Sequence, residues 1–265
     1  MIIDIHAHAF PDDLAARALA ALAHNSSITP FTDGTCASLS ASMKEAGIDK
    51  SVVAPIATKP SQVRSINDWA VGVNRQYPDL ECFGTLHPLY DEWQAEIENL
   101  VAAGILGIKL HPDYQEFFVD DPALLPMYQA LAEAGLILLF HAGVDIGLPP
   151  PVHCPPDRLA RVLDAVPQLT IVAAHMGGYA CWDDVERHLV GRDLYFDTSY
   201  SMADLGIERA TAMIRAHGTD KILFGTDSPW TVQSAEVAAI RALPLTDDEI
   251  AAILGENAAR LLKYQ

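Results

Sequence analysis

Residues 2–11 read IIDIHAHAFP, a short apolar run that leads into a His-x-His pair. Side chains alternate between the two faces of a strand, so His6 and His8 are predicted to point the same way, roughly 6–7 Å apart. Neutral imidazole nitrogens are common ligands of zinc and neighbouring divalent metals. The pair therefore indicates a metal site, although two satisfied polar residues at the start of a chain would give the same pattern.

Seven further short apolar runs follow, separated by segments with helical spacing. Their near-continuous Ile, Val, Leu and Phe content is typical of strands buried on both faces of a parallel sheet. Eight strands that alternate with helices predict an α/β fold, a (β/α)8 TIM barrel formed by one domain over residues 1–265. The eight runs are 2–5, 51–56, 81–86, 105–110, 136–140, 169–174, 194–197 and 221–224.

A doubly wound open sheet is the competing architecture. That fold usually has a glycine-rich phosphate loop after its first strand. No glycine occurs between Ile5 and Pro11, so the barrel is favoured.

Composition limits the classes of partner. Half of the 265 residues are hydrophobic and the net charge is −18. A nucleic-acid partner would need a basic surface, so a small-molecule substrate is expected instead. The chain has no apolar run long enough to span a membrane and no signal peptide, and its four cysteines are widely spaced. We therefore expect a cytoplasmic protein with free thiols, and a homo-oligomer stays possible.

Polar residues end several of the predicted strands. In a TIM barrel the active site lies at the carboxyl ends of the strands. Several strand ends carrying histidine, together with a closing aspartate, are hard to obtain by accident. Besides the first strand, these ends read GIKLHP (107–112), LLFHAG (138–143), AAHMGG (173–178) and ILFGTDSPW (222–230).

These motifs, with ENAARLL at residues 256–262, resemble the amidohydrolase superfamily. More narrowly, they are similar to its amidohydrolase-related branch, which includes aminocarboxymuconate-semialdehyde decarboxylase. The resemblance runs from Ile3 to Leu262. It implies a catalytic centre with one or two divalent metal ions, for which zinc is the expected metal.

The resemblance also implies roles for individual residues. His6 and His8 would hold the metal, with His141 and Asp227 completing the ligand set. His175 would either bind a second metal or act as an acid–base group beside the first. Asp227 would also move the proton of a metal-bound water, which makes Asp227 and His175 the candidate catalytic residues.

Lys109 has two interpretations. The resemblance implies that Lys109 could be a carboxylated lysine that bridges two metals, as in binuclear members of the superfamily, and burial beside a dication would favour the neutral amine that this requires. As an ordinary lysine it would bind a substrate carboxylate or pair with an acid.

Three further residues are candidate substrate contacts. His111 follows Lys109 on the same predicted strand face, at the rim. Trp230 is either a packing residue or a platform for an apolar substrate part. His153 lies in a proline-rich loop that could wall the cavity. Asp4 has the predicted parity of His6 and is expected to hydrogen-bond a ligand histidine.

The favoured function is metal-dependent hydrolysis of a small ester, lactone or amide-type bond. The alternative is non-oxidative decarboxylation of an aromatic or unsaturated acid. Related decarboxylases are expected to be longer, and Lys59, Arg64 and Arg158 are weak candidates for a carboxylate anchor. A metal-dependent nuclease is disfavoured by the charge, and a barrel that keeps a metal only as a structural staple is disfavoured by the complete ligand set.

Overall fold

The computed structural model describes residues 1–264, and parallel strands form its centre. The eight predicted runs appear as nine strands because the third run is interrupted at Phe83. The strands are β1 (Ile3–Ala7), β2 (Lys50–Val53), β3 (Leu80–Cys82), β4 (Gly84–Thr85), β5 (Gly107–Leu110), β6 (Ile137–Phe140), β7 (Ile171–Ala173), β8 (Tyr195–Asp197) and β9 (Ile222–Leu223).

The strands pair in chain order. One sheet has the order β1-β2-β3 and the other runs from β4 to β9, all parallel. At the interruption, the Phe83 N–H still donates to the Val53 carbonyl oxygen at 2.9 Å. The backbone of the third run therefore stays paired across the break.

Backbone hydrogen bonds also join the last strand to the first. The Ile5 N–H donates to the Phe224 carbonyl oxygen at 2.8 Å, and the His8 N–H donates to the Ser228 carbonyl oxygen at 2.6 Å. Ala7 and Ser228 form a parallel bridge. This order of strands is that of a TIM barrel, as predicted.

Helices follow the strands and cover the sheet. They are α1 (Asp12–Ser26), α2 (Cys36–Ala46), α3 (Val63–Gln76), α4 (Trp93–Ala102), α5 (Leu125–Glu133), α6 (Pro156–Ala165), α7 (Trp182–His188), α8 (Met202–His217), α9 (Gln233–Arg241), α10 (Asp247–Ala251) and α11 (Asn257–Leu261).

The last helical segment differs from a single regular helix. It begins with a capping box, in which Thr246 and Glu249 bond each other's backbone N–H groups. A π-helical stretch, Ala252–Glu256, then separates α10 from α11. Within it, the Ile253 carbonyl oxygen accepts the Phe224 N–H at 3.0 Å, so the wider turn ties this segment to β9.

Alternate residues of the strands enter two apolar clusters. The smaller consists mostly of strand residues such as Val52, Leu139 and Leu223, with Leu262 beyond α11, and it fills the barrel interior. The larger joins the other faces of the strands to the buried faces of the helices. The polar residues at the strand ends lie above this packed interior.

Candidate metal centre

A cavity of about 610 Å³ opens at the carboxyl ends of the strands. All six residues predicted as metal ligands line it, which brings together positions up to 221 residues apart in the sequence (His6 to Asp227). They are His6, His8, Lys109, His141, His175 and Asp227.

A bulge in β1 aims the first two histidines. Asp4 pairs with Ser51 and Ala7 with Val53, so β1 has one more residue than β2 over this stretch. The extra residue reverses the alternation of side chains. Asp4 therefore does not share the direction of His6, as simple parity predicted.

Asp4 contacts no imidazole. Its carboxylate accepts from the Thr226 hydroxyl at 2.6 Å, from Gln233 at 2.9 Å and from the His6 backbone N–H at 3.1 Å. The expected bond to a ligand histidine ring is absent, and Asp4 instead ties β1 to the loop after β9. Burial raises the pKa of Asp4 to about 7.

The proton on His8 can be placed from its partners. Its Nδ1 lies 2.9 Å from the Ala54 carbonyl oxygen, which can only accept, so Nδ1 donates. In a neutral ring, Nε2 then presents a lone pair, and this atom lies 3.1 Å from Asp227 Oδ1. Two acceptors at this distance require a cation between them, either a second proton on His8 or a metal ion.

His6 is oriented in the same way by Asp197, a residue that we did not predict. His6 Nδ1 lies 2.9 Å from Asp197 Oδ2, and Nε2 lies 3.6 Å from Asp227 Oδ1. Burial, together with nearby Lys109, lowers the pKa of His6 to about 3, so its ring is neutral. Burial opposes ionisation of Asp197, but His6 and the Ser199 hydroxyl lower the pKa of Asp197 to about 2.

Lys109 lies directly beside these rings. Its Nζ is 3.0 Å from His6 Nε2, and its side chain is fully buried. Burial lowers the pKa of Lys109 to about 8, although Asp197 and Asp227 act in the opposite direction. The amine is therefore closer to its neutral form than an exposed lysine would be.

His141 and His175 face each other across the floor of the cavity. His175 Nδ1 donates to the Ser199 carbonyl oxygen at 3.0 Å, which leaves Nε2 with a lone pair, 3.1 Å from His141 Nδ1. Among the described residues, buried His141 Nε2 has no hydrogen-bond partner. His175 and Asp227 both have left-handed backbones, with φ of 60° and 59°, a strain that is concentrated at functional sites.

Three groups of side chains lie close enough to share a cation, with ligand atoms within 4.8 Å of one another. His6, His8 and Asp227 fit a divalent metal best, because two imidazole lone pairs and an ionised carboxylate converge. Contact with His8 and His6 outweighs burial and holds the pKa of Asp227 well below its usual range.

The other two groups are explained by hydrogen bonds. In the group of His6, His175 and Asp197, the carboxylate accepts the Nδ1 proton of His6. In the group of His111, His141 and Asp145, the two imidazole rings stack, with their centroids 4.0 Å apart and an interplanar angle of 8°. His111 Nδ1 accepts the Tyr114 N–H, so Nε2 donates to Asp145 at 3.2 Å.

The three predicted substrate contacts have different outcomes. His111 and Trp230 line the cavity. His153 is not among the lining residues, because its Nδ1 bonds Asp113 at 2.9 Å and its ring packs on Phe118. The structure therefore does not support a substrate contact for His153.

The suggested carboxylate anchors also lie outside the cavity. Arg64 pairs with Glu96 and Asp68, and Arg158 pairs with Asp120. Lys59 is not among the lining residues either.

Over residues 1–264 all four cysteines are free, and no helix is long and apolar enough to cross a membrane.

Comparisons with known proteins address the family and the fold. The amidohydrolase family model matches residues 3–264. No curated protein sequence matches the chain.

Several solved structures match over nearly the whole chain. An uncharacterized TIM-barrel protein from Bordetella bronchiseptica has 21% identity and a TM-score of 0.76, covering 99% of this chain and 98% of that chain. The structure of 2,6-dihydroxybenzoate decarboxylase from Rhizobium has 18% identity and a TM-score of 0.73, and the match covers 99% of this chain and 98% of that chain. A mutant 5-carboxyvanillate decarboxylase from Novosphingobium aromaticivorans has 15% identity and a TM-score of 0.70, and the match covers 99% of this chain and 97% of that chain. That structure contains bound manganese and 3-methoxy-4-hydroxy-5-nitrobenzoic acid. At such identities the likeness shows the fold.

Proposed function

This chain belongs to the amidohydrolase family, and on that premise we propose that it is a metal-dependent, non-oxidative decarboxylase of an aromatic or unsaturated carboxylic acid. The observation that carries the proposal is the arrangement of His6, His8 and Asp227 around one point, with the Lys109 amine beside it. The decarboxylases among the structural neighbours support this reading over hydrolysis.

Hydrolysis was the function favoured by the sequence, partly because related decarboxylases were expected to be longer. The alignments cover 97–98% of the two decarboxylase chains, so that argument loses its basis. Decarboxylation therefore becomes the main proposal, and hydrolysis becomes an outcome of the test.

The proposed metal ligands are His6, His8, Asp227 and His141, with His175 beside them. Their imidazole and carboxylate donors suit zinc and manganese, among other divalent metals, and one structural neighbour contains manganese. A metal bound there would hold the acid and stabilise the negative charge that develops as CO2 leaves.

The side chains supply the remaining steps. The substrate carboxylate would enter beside Lys109, the only lysine or arginine among the residues that line the described cavity. The bond between the carboxylate carbon and its neighbour breaks, CO2 departs, and the electron pair left behind takes up one proton. Asp227 is ionised at rest because its pKa lies well below the usual range, so it would first take a proton from water that enters the cavity and then deliver that proton to the carbon.

The experiment measures CO2 release from a panel of hydroxybenzoates by protein loaded with zinc or with manganese. Asp227→Asn should lower turnover by about 100-fold or more, because a general acid typically contributes that much. Asp193→Asn, at an exposed surface position, is the matched control. Turnover of esters or lactones without any CO2 release would contradict the proposal and restore hydrolysis.

A further inference from the structure

The cavity continues outward from the metal centre into an apolar chamber. One wall comes from α1, where Leu14, Ala18 and Leu22 all line the cavity. These positions are four residues apart and share one helix face. The face that packs on the core is a different one, marked by Ala15 and Leu19. A second apolar stripe on a helix needs something to cover it.

Apolar residues from other elements also line the cavity. Ile66 and Trp69, one helical turn apart on α3, line the cavity, as does Trp230 after β9. All three side chains are half-buried, so part of each stays open to the cavity or to solvent. We call the space between Leu14, Ala18, Leu22, Ile66, Trp69 and Trp230 the outer chamber.

Charge is distributed unevenly along this cavity. Lys109, at the floor, is the only lysine or arginine among the lining residues of the described chain. The acidic residues Asp13 and Asp145 line the cavity as well. An anionic group placed away from the floor would therefore meet apolar, neutral polar or acidic side chains and no lysine or arginine.

The size of the cavity also favours a ligand larger than a single ring. A volume of about 610 Å³ lies within the range of pockets that enclose drug-sized ligands. A single-ring hydroxybenzoate is much smaller than that. A ligand of this size would leave the outer chamber filled only by water against apolar walls.

We propose that the substrate is a monocarboxylic acid with a large apolar substituent that fills the outer chamber, and that dicarboxylic acids are disfavoured. The inference rests on the proposed function, because it places the carboxylate at the floor beside Lys109. It adds the substrate class, which the metal centre alone does not define.

The test compares three probes that differ at one ring position: salicylate, 3-phenylsalicylate and 3-carboxysalicylate. Binding to the metal-loaded protein is measured by calorimetry, so no turnover is needed. We expect 3-phenylsalicylate to bind at least about tenfold more tightly than salicylate, since it buries a phenyl group. We expect 3-carboxysalicylate to bind more weakly than salicylate.

Two variants locate the effect. Leu22→Asp should remove the advantage of 3-phenylsalicylate over salicylate, and Trp69→Ala should reduce it from the other wall. Ala20→Asp adds the same charge to an exposed position of α1 and should leave the ratio unchanged. Thermal unfolding of each variant shows that it is folded.

Equal binding of salicylate and 3-phenylsalicylate to the wild type would overturn the inference and leave the proposed function standing. So would a ratio that neither Leu22→Asp nor Trp69→Ala changes. Failure of all three acids to bind the metal-loaded protein would contradict the proposed function, and the inference would fall with it.

Discussion

Most histidines of the candidate metal centre are oriented by an acceptor on the ring nitrogen away from the cavity. The acceptor is Asp197 for His6, the Ala54 carbonyl oxygen for His8 and the Ser199 carbonyl oxygen for His175. Such partners determine the tautomer and direct the other nitrogen to the metal. Asp197 also accepts the backbone N–H groups of His175 and Ser199, so one carboxylate ties β7 and β8 to β1.

This network makes Asp197 testable as a positioning residue. Asp197→Asn should weaken metal binding by about 10-fold to 100-fold, because the His6 ring loses its charged partner. The affinity is measured by competition with a chromogenic chelator. Asp4→Asn is the matched control, since Asp4 is equally buried but contacts no imidazole ring. Equal loss of affinity in both variants would argue against a specific role for Asp197.

At this scale the sequence predicts the candidate metal ligands and misses the residues that orient them. His6, His8, His141 and Asp227 stand out because they end apolar runs. Asp197 also ends such a run, and that was the available signal, but nothing in its neighbours shows that it reaches His6, 191 residues away. Asp4 was misassigned because a one-residue bulge leaves no mark in the sequence.

Among the elements, α8 ends in a histidine that has a structural role of its own. His217 Nδ1 accepts the Gly191 N–H at 3.1 Å, and Nε2 donates to the Leu194 carbonyl oxygen at 2.9 Å. Its ring stacks on the Phe196 ring, with the two centroids 3.8 Å apart. Only the neutral ring can both accept and donate, and burial lowers the pKa of His217 to about 4.

The shift predicts a loss of stability in acid. The unfolded chain binds a proton at His217 below about pH 6.5, whereas the folded protein resists it until about pH 4. The contribution of His217 is therefore complete above pH 6.5 and falls by up to about 3 kcal/mol as the pH drops to 4. Urea unfolding at several pH values measures it.

The variants for this prediction are His217→Gln and His24→Gln, the latter at an exposed position of α1. His217→Gln should make the dependence of the unfolding free energy on pH between 6.5 and 4 less steep than in the wild type. His24→Gln should follow the wild type. A wild-type slope that His217→Gln does not change would contradict the assignment.

Elements were predicted best where their pattern is local. Examples are the capping box at Thr246 and the glycines with positive φ at Gly47, Gly104 and Gly135, which depend only on residues beside each helix end. The break at Phe83 and the π-helical stretch depend on contacts with distant strands. Phe83 bonds Val53, and Ile253 in the π-helical stretch bonds Phe224, and both partners lie about 30 residues away in the sequence.

For the whole molecule, the barrel follows from the eightfold alternation of strands and helices, and the family model confirms the branch. The outer chamber is a property of the assembled barrel. It combines faces of α1 and α3 with the loop after β9, and each part alone looks like ordinary amphipathic sequence. The proposed substrate class therefore has no signal in the sequence, whereas the fold and the family do.

Metal removal tests whether the whole fold depends on the ion or only the candidate metal centre does. A metal that binds only the folded protein, at 100 times its dissociation constant, stabilises by about 2.7 kcal/mol. Chelation should then lower Tm by about 5–10 °C and leave the barrel folded. Complete unfolding on chelation would indicate a structural staple. His8→Ala should show a Tm that the chelator does not change.

The central claim is that His6, His8 and Asp227 surround one divalent ion. An anomalous difference map from crystals of the protein loaded with manganese tests it most directly. We predict a peak within about 2.0–2.3 Å of His6 Nε2, His8 Nε2 and an Asp227 carboxylate oxygen. Density that places the ion away from these atoms, or no peak between them in fully loaded crystals, would contradict the account.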